Sequence, residues 1–189
     1  MIATGHILIT EKASRKKESK IKKLIALIMA ALLALSAVAF AETYHTGDVV
    51  FDYDEKVFDI SLDDSTDDVT NVVIYGKVES WGYYYVSFHV EDLKDGQPFP
   101  TAEALAKEKG VEVTESDWNG YKNVLMYTIE GDDGMTRSTF VVPVMDDDDN
   151  EIDDILHVVI ATSKIKNEAD LQARDDAISA VVDSLKVDD

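Results

Sequence analysis

Tyr83-Tyr84-Tyr85-Val86-Ser87-Phe88-His89-Val90 runs through the chain with an unbroken two-residue period, and the fold class follows from it. In a strand, successive side chains point to opposite faces. Tyr84, Val86, Phe88 and Val90 therefore share one face, and Tyr83, Tyr85, Ser87 and His89 share the other. The first set belongs in a core. The second faces solvent or a packed helix. Val72-Val73-Ile74-Tyr75 through Val78 supplies a partner strand, and Trp81-Gly82 lies at the turn, which together predict a β-hairpin.

Working upstream, Glu42 to Gly47 reads as a short leader. Val49-Val50-Phe51-Asp52-Tyr53, the turn Asp54-Glu55-Lys56 and Val57-Phe58-Asp59-Ile60-Ser61-Leu62 read as an opening hairpin. Phe58, Ile60 and Leu62 are expected on one face. The acidic stretch Asp63 to Asp68 reads as a loop.

Downstream, Thr101 is placed to cap a short helix that Gly110 ends, with Glu103 in its first turn and Lys107 and Lys109 in its last. Val111 to Trp118 and Tyr121 to Glu130 flank Asn119-Gly120, a strong hairpin signal. Gly131-Asp132-Asp133-Gly134 turns again before Met135 to Met145. Ile155 to Thr162, apolar on both faces, reads as a central strand. Asn167 then caps a terminal helix whose Leu171, Ile178, Val181 and Leu185 repeat at helical spacing, with Ala177 beside them. The expectation is a single α+β domain over residues 48–189. It consists of an antiparallel β-sheet with opening hairpins, one short middle helix and a C-terminal amphipathic helix packed on the sheet.

This order of elements, closing on Ile178-x-x-Val181-x-x-Ser184-Leu185, resembles the PsbP-like family of α/β/α sandwich domains over about residues 48–187. The resemblance implies a fold and an accessory, protein-binding role. It carries over no site residue, because no motif here fixes one.

Residues 1–41 concern destination. Seven basic residues precede an uncharged run from Leu24 to Ala41 that ends in Ala39-Phe40-Ala41. Basic start, apolar middle and small residues at the end are the parts of a secretory signal, with cleavage after Ala41. The expected location is extracytoplasmic, secreted or periplasmic. An uncleaved anchor is the rival reading, since 18 uncharged residues approach a bilayer span. The Ala-rich composition and the cleavage site favour removal and no stable membrane insertion afterwards. The long mixed stretch before Lys20 leaves the true start codon open.

The full chain has 189 residues, 18 basic and 38 acidic. Removing residues 1–41 takes away seven of the basic and two of the acidic residues, leaving 11 and 36 and a net charge of −25. Nucleic-acid binding requires Lys and Arg to displace counterions, so that partner class is excluded on this charge. There is no cysteine, hence no disulfide and no thiolate chemistry.

Among candidate sites, Asp146-Asp147-Asp148-Asp149-Asn150-Glu151-Ile152-Asp153-Asp154 stands out. Hard cations take six to eight oxygen ligands, and alternate carboxylates in a loop can supply several. Asp146, Asp148, Asn150 and Asp154 are the candidate ligands of a weak calcium site. The EF-hand pattern fails, because Glu151 stands where Gly is needed and His157 where the bidentate Glu is expected. A solvated turn is the plainer reading of this acidic run.

Trp81, Tyr83 and Tyr85 are the second candidate, an aromatic stripe near Tyr75 suited to a protein, peptide or glycan. If a helix covers that face, the stripe is second core. His45, His89 and His157 form no zinc-binding motif, and no Gly-x-Ser-x-Gly elbow or Gly-rich phosphate loop occurs. The leading expectation is a monomeric, non-catalytic exported binding or accessory domain without a cofactor. A calcium-responsive surface protein and an extracellular hydrolase are the alternatives. The hydrolase would need a cleft holding a carboxyl of raised pKa.

Overall fold

The computed structural model of the chain describes residues 41–65, 69–93, 97–145 and 151–187. Among the described residues, six strands precede the Asn119-Gly120 turn: β1 (Ala41–Thr46), β2 (Val49–Asp54), β3 (Phe58–Asp63), β4 (Val69–Gly76), β5 (Tyr84–Asp92) and β6 (Val113–Trp118). Four follow it: β7 (Tyr121–Glu130), β8 (Met135–Met145), β9 (Ile152–Ser163) and β10 (Lys186–Val187). A single 3-10 turn, Glu79–Trp81, separates β4 from β5. Helix α1 (Ala102–Lys109) lies between β5 and β6, and α2 (Glu168–Ser184) between β9 and β10. The architecture is α+β, with strands dominating.

Seven strands form one antiparallel sheet in the order β3-β4-β5-β9-β8-β7-β6, and β1-β2-β10 form a second. The alternation of β5 holds throughout: Tyr84, Val86, Phe88 and Val90 are buried. They meet Val49 and Phe51 of the small sheet and Ile178, Val181, Val182 and Leu185 at the α2 end, in one core. The rings of Phe51 and Phe88 meet across the two sheets, 4.8 Å apart and tilted by 38°. The small sheet and α2 thus cover one face of the large sheet together. On the opposite face, α1 lays Leu105 on Leu125, Val141 and Ile155. β9 sits between β5 and β8, the central place its apolar composition predicts.

Both helices are capped as expected. Thr101 accepts from Ala104 N at 3.2 Å, and Gly110 closes α1 in the left-handed region at φ 70°. Asn167 accepts from Ala169 N at 3.0 Å and from Asp170 N at 3.4 Å. The Asn119-Gly120 turn also forms, with φ of 48° and 88°.

The start of the domain differs from expectation in three ways. Residues 42–47 are no leader: Ala41–Thr46 is strand β1, joined to β2 by a turn at Gly47-Asp48. Gly47 is required there, because a Cβ would stand 2.0 Å from Thr70 Oγ1. Second, β2 and β3 do not pair. The sides of β2 are taken by β1 and by β10 from the far end of the chain, so the Asp54–Val57 turn carries the backbone from one sheet to the other. Local turn residues specify a reversal and do not specify which edge is free.

Third, Leu62 leaves the face of Phe58 and Ile60 and is 43% exposed. The register slips between Ile60, opposite Ile74, and Leu62, opposite Val73. One extra residue at a bulge inverts the facing of everything after it. The same slip sets Asp63 opposite Val72 and aims its carboxylate at β1, where it accepts from Tyr44 Oη at 2.7 Å and Thr46 Oγ1 at 2.8 Å.

The α2 stripe is corrected too. Leu171 is 37% exposed and Arg174 is buried in its stead. Arg174 Nη1 donates to Ser163 O at 2.8 Å, and Nε and Nη2 each reach Asp175 Oδ1 at 3.1 Å.

Candidate functional site

The outward face of β5 carries Tyr85, Ser87, His89 and Glu91 at two-residue intervals, and Tyr83 stands just before it. Pairing with β4 puts Tyr75 directly opposite Tyr85. The three tyrosine rings cluster, with centroids 5.4 Å (Tyr75–Tyr85), 5.7 Å (Tyr75–Tyr83) and 6.2 Å (Tyr83–Tyr85) apart. These are tilted and edge arrangements within the favourable range for aromatic pairs. Tyr83 is 53% exposed, while Tyr75 and Tyr85 are half-buried. The stripe is therefore surface, and α1 lies over the Leu125–Val141–Ile155 part of the same sheet face.

Tyr83 is held by its backbone. Its N–H donates to Ser163 Oγ at 2.8 Å, and its carbonyl accepts from Ser163 N at 2.8 Å. Ser163 O in turn accepts from the buried Arg174. A chain of bonds from α2 through the end of β9 thus fixes the most exposed ring of the cluster. Burial against its neighbours, and then the Tyr75 hydroxyl, push the Tyr83 hydroxyl pKa up.

Trp81 does not join this stripe. It sits in the 3-10 turn and packs toward the core, its ring 6.0 Å from that of Tyr84. The period-two argument fails for Trp81 because the backbone there is not extended. Arg137 takes part instead. Tyr85 and Arg137 both stand opposite Ala161, on its two flanking strands, and that small residue leaves room above it for ring and guanidinium to meet. Asp133 first, and then the Tyr85 hydroxyl, hold Arg137 firmly charged. Asp133 makes a two-pronged pair with Arg137 and is itself drawn down to about 2. The cluster thus combines three aromatic faces with a fixed cation and a fixed anion at one rim.

Farther along the same face, His89 lies directly opposite His157, with ring centroids 6.1 Å apart. Glu91 approaches both: its carboxylate oxygens stand 3.5 Å from His157 Nε2 and 3.8 Å from His89 Nε2. Burial pushes the His157 pKa down, with the Glu91 carboxylate opposing. His45, by contrast, is an exposed residue of β1.

Of the acidic candidates, Asp146, Asp148 and Asn150 lie outside the described residues. Asp154 is in β9, opposite Asp92 of β5, at one end of the large sheet. Its pKa is raised to about 6, chiefly by burial, then by the charges of Asp92, Asp153 and Asp48. Among the described residues, no three His, Asp or Glu side chains enclose a point at metal-bonding distance as they stand. A cleft of about 410 Å³ opens beside the β6–β7 hairpin, lined by Tyr121, Lys122, Pro143, Val144, Met145 and Ile152 among others. It is mostly apolar, and its Lys122 is paired with Asp117.

Residues 1–40, where the expected signal falls, lie outside the described residues, while Ala41, after which cleavage is expected, opens β1; among the described residues no helix is long and apolar enough to cross a membrane. No family model matches the chain, and no curated protein is significantly similar to it.

Proposed function

We propose that this is an exported, non-catalytic binding or accessory domain that engages its partner with the outer face of β4 and β5. The observation that carries this reading is the tyrosine cluster of Tyr75, Tyr83 and Tyr85, half-exposed on a rigid sheet and rimmed by the Arg137–Asp133 pair. Aromatic rings already ordered by one another give contact area at little entropic cost, and a fixed fork of donors beside them orients hydroxyls or backbone amides. A glycan, a peptide or the surface of a partner protein fits that chemistry. The order of elements that resembles PsbP-like sandwich domains supports the accessory role.

The test is binding of soluble oligosaccharides and an extended peptide library to the purified chain, followed by Tyr83→Ala. Loss of an aromatic anchor at the centre of an interface costs about 2 kcal/mol or more, about thirtyfold in affinity. Thermal stability should hold, because Tyr83 is 53% exposed. Binding that survives Tyr83→Ala and Tyr85→Ala together would refute the reading.

The hydrolase alternative has a raised carboxyl in Asp154, at about 6, but that residue does not line the cleft beside the β6–β7 hairpin. Turnover of a glycan or ester by the chain, lost in Asp154→Asn, would establish it over the binding domain.

A further inference from the structure

We propose that His89, Glu91 and His157 form a site for a divalent transition metal of the zinc type on the outer face of the large sheet. The site shares no residue with the tyrosine cluster and does not depend on the binding reading above.

The first support is spacing. The Glu91 oxygens stand 3.5 and 3.8 Å from the two Nε2 atoms, beyond the roughly 2.7–3.2 Å of an ordinary N–H···O hydrogen bond. The three groups are gathered without being closed on one another. Around a tetrahedral ion with metal–nitrogen bonds of about 2.0–2.1 Å and metal–oxygen bonds of about 2.0–2.2 Å, neighbouring donors lie about 3.4 Å apart. The spacing at His157 already matches that edge, and the spacing at His89 exceeds it by about 0.4 Å on the same reckoning. The ring centres, 6.1 Å apart, must close to about 5.2 Å around a tetrahedral ion that sits about 3.2 Å from each of them, so ion binding requires His89 to turn toward His157.

The second support is placement. His89 and His157 are register partners on β5 and β9, neighbours near the middle of the sheet, and Glu91 lies two residues along β5 on the same face. Backbone ladders on both sides fix the three Cα positions, which is what a preorganised site needs. His89, with its side chain 40% exposed, is free to make the small rotation that brings the donors together. Lys109 of α1 is the cation that opposes an ion here, and its own pairing with Glu108 at 2.8 Å offsets part of that charge.

Chemistry chooses the metal. Two imidazoles and one carboxylate suit zinc, copper or nickel, whereas calcium and magnesium prefer all-oxygen shells. Three protein ligands leave a position open for water or for a donor from a bound partner.

The experiment uses the full chain, freed of metal by chelation and of any histidine tag. Zinc is titrated calorimetrically in a calcium-containing buffer, and cobalt is titrated by visible absorption. The expected result is one zinc per chain and a cobalt spectrum of low coordination number. His89→Ala and His157→Ala should each weaken zinc binding at least about tenfold, since even outer-shell changes cost that much. Glu91→Gln should weaken it less, and His45→Ala should leave it unchanged. Circular dichroism and melting of each variant separate a lost ligand from a lost fold. Absence of saturable zinc binding would overturn the proposal. So would zinc binding that survives both histidine substitutions, which would place the ion on the carboxylate clusters instead.

Discussion

Replacing Asp154 by Asn should stabilise the protein at neutral pH and do nothing at pH 3.5. Burial first, and then the charges of Asp92 (opposite it in the β5–β9 ladder), Asp153 and Asp48, raise the Asp154 pKa from 3.8 to about 6. The folded state therefore binds this proton more tightly than the unfolded chain does. Stability linked to it is fully present below about pH 3.8 and is lost as pH rises through about 6. At 1.36 kcal/mol per unit, a shift of about two units sets a ceiling of about 3 kcal/mol. Asp154 is only half-buried, so water and salt screen the repulsion, and about 1–2 kcal/mol is the expected effect.

Asn keeps the shape and removes the charge. Denaturant melts followed by the fluorescence of Trp81 and Trp118 should show the variant about 1–2 kcal/mol more stable at pH 7.5, equivalent to a Tm rise of about 2–8 °C. The gain should shrink in high salt and vanish near pH 3.5. Asp92→Asn should act in the same direction but less, because burial and the charges of Asp153 and Asp48 still weigh on Asp154, and the double variant should gain little over Asp154→Asn alone. Equal gains at both pH values, or none at pH 7.5, would refute the reasoning.

Other outcomes test the packing that supports the sites. Phe51→Ala should cost about 3–5 kcal/mol in equilibrium unfolding, since it empties the space against Phe88 that joins the two sheets. Arg174→Ala should cost about 2–3 kcal/mol and raise hydrogen exchange at Tyr83, because Ser163 O loses its buried donor. Asn119→Gly keeps the left-handed turn at φ 48° and removes the amide that donates to Val182 O at 3.1 Å and Leu185 O at 3.3 Å. It should lower stability by about 1 kcal/mol in a thermal melt, with fraying confined to the end of α2.

Local signals were read well where the local chain carries the whole cause. The Thr101, Gly110 and Asn167 caps and the Asn119-Gly120 turn depend on side chains within a few residues of the backbone they serve. Alternation along β5 likewise named the buried set and the outward tyrosines correctly. Trp81 departs from the stripe because two-residue periodicity does not continue through a 3-10 turn. Leu62 leaves the face its spacing predicts because a bulge changes facing without leaving a mark in composition. Arg174 was passed over since arginine on an apolar stripe reads as a gap, and its partners Ser163 O and Asp175 become visible only in the packed helix.

Composition and period thus settle that the chain forms an α+β domain with a strongly acidic surface, which of its segments other than β1 and β10 are strands or helices, and which side of β5 is dry. Those properties depend on neighbours a few residues away and on the apolar area each segment must hide. Which strands pair is another matter. β10, two residues long and near the end of the chain, takes a side of β2 that the adjacent β3 seemed suited to fill. His89 meets His157, and Arg137 reaches Tyr85 over Ala161, across separations of tens of residues. Such meetings follow from competition among all the edges for partners that bury the most surface, and no short window of residues holds the terms of that competition. Both candidate sites are products of that pairing.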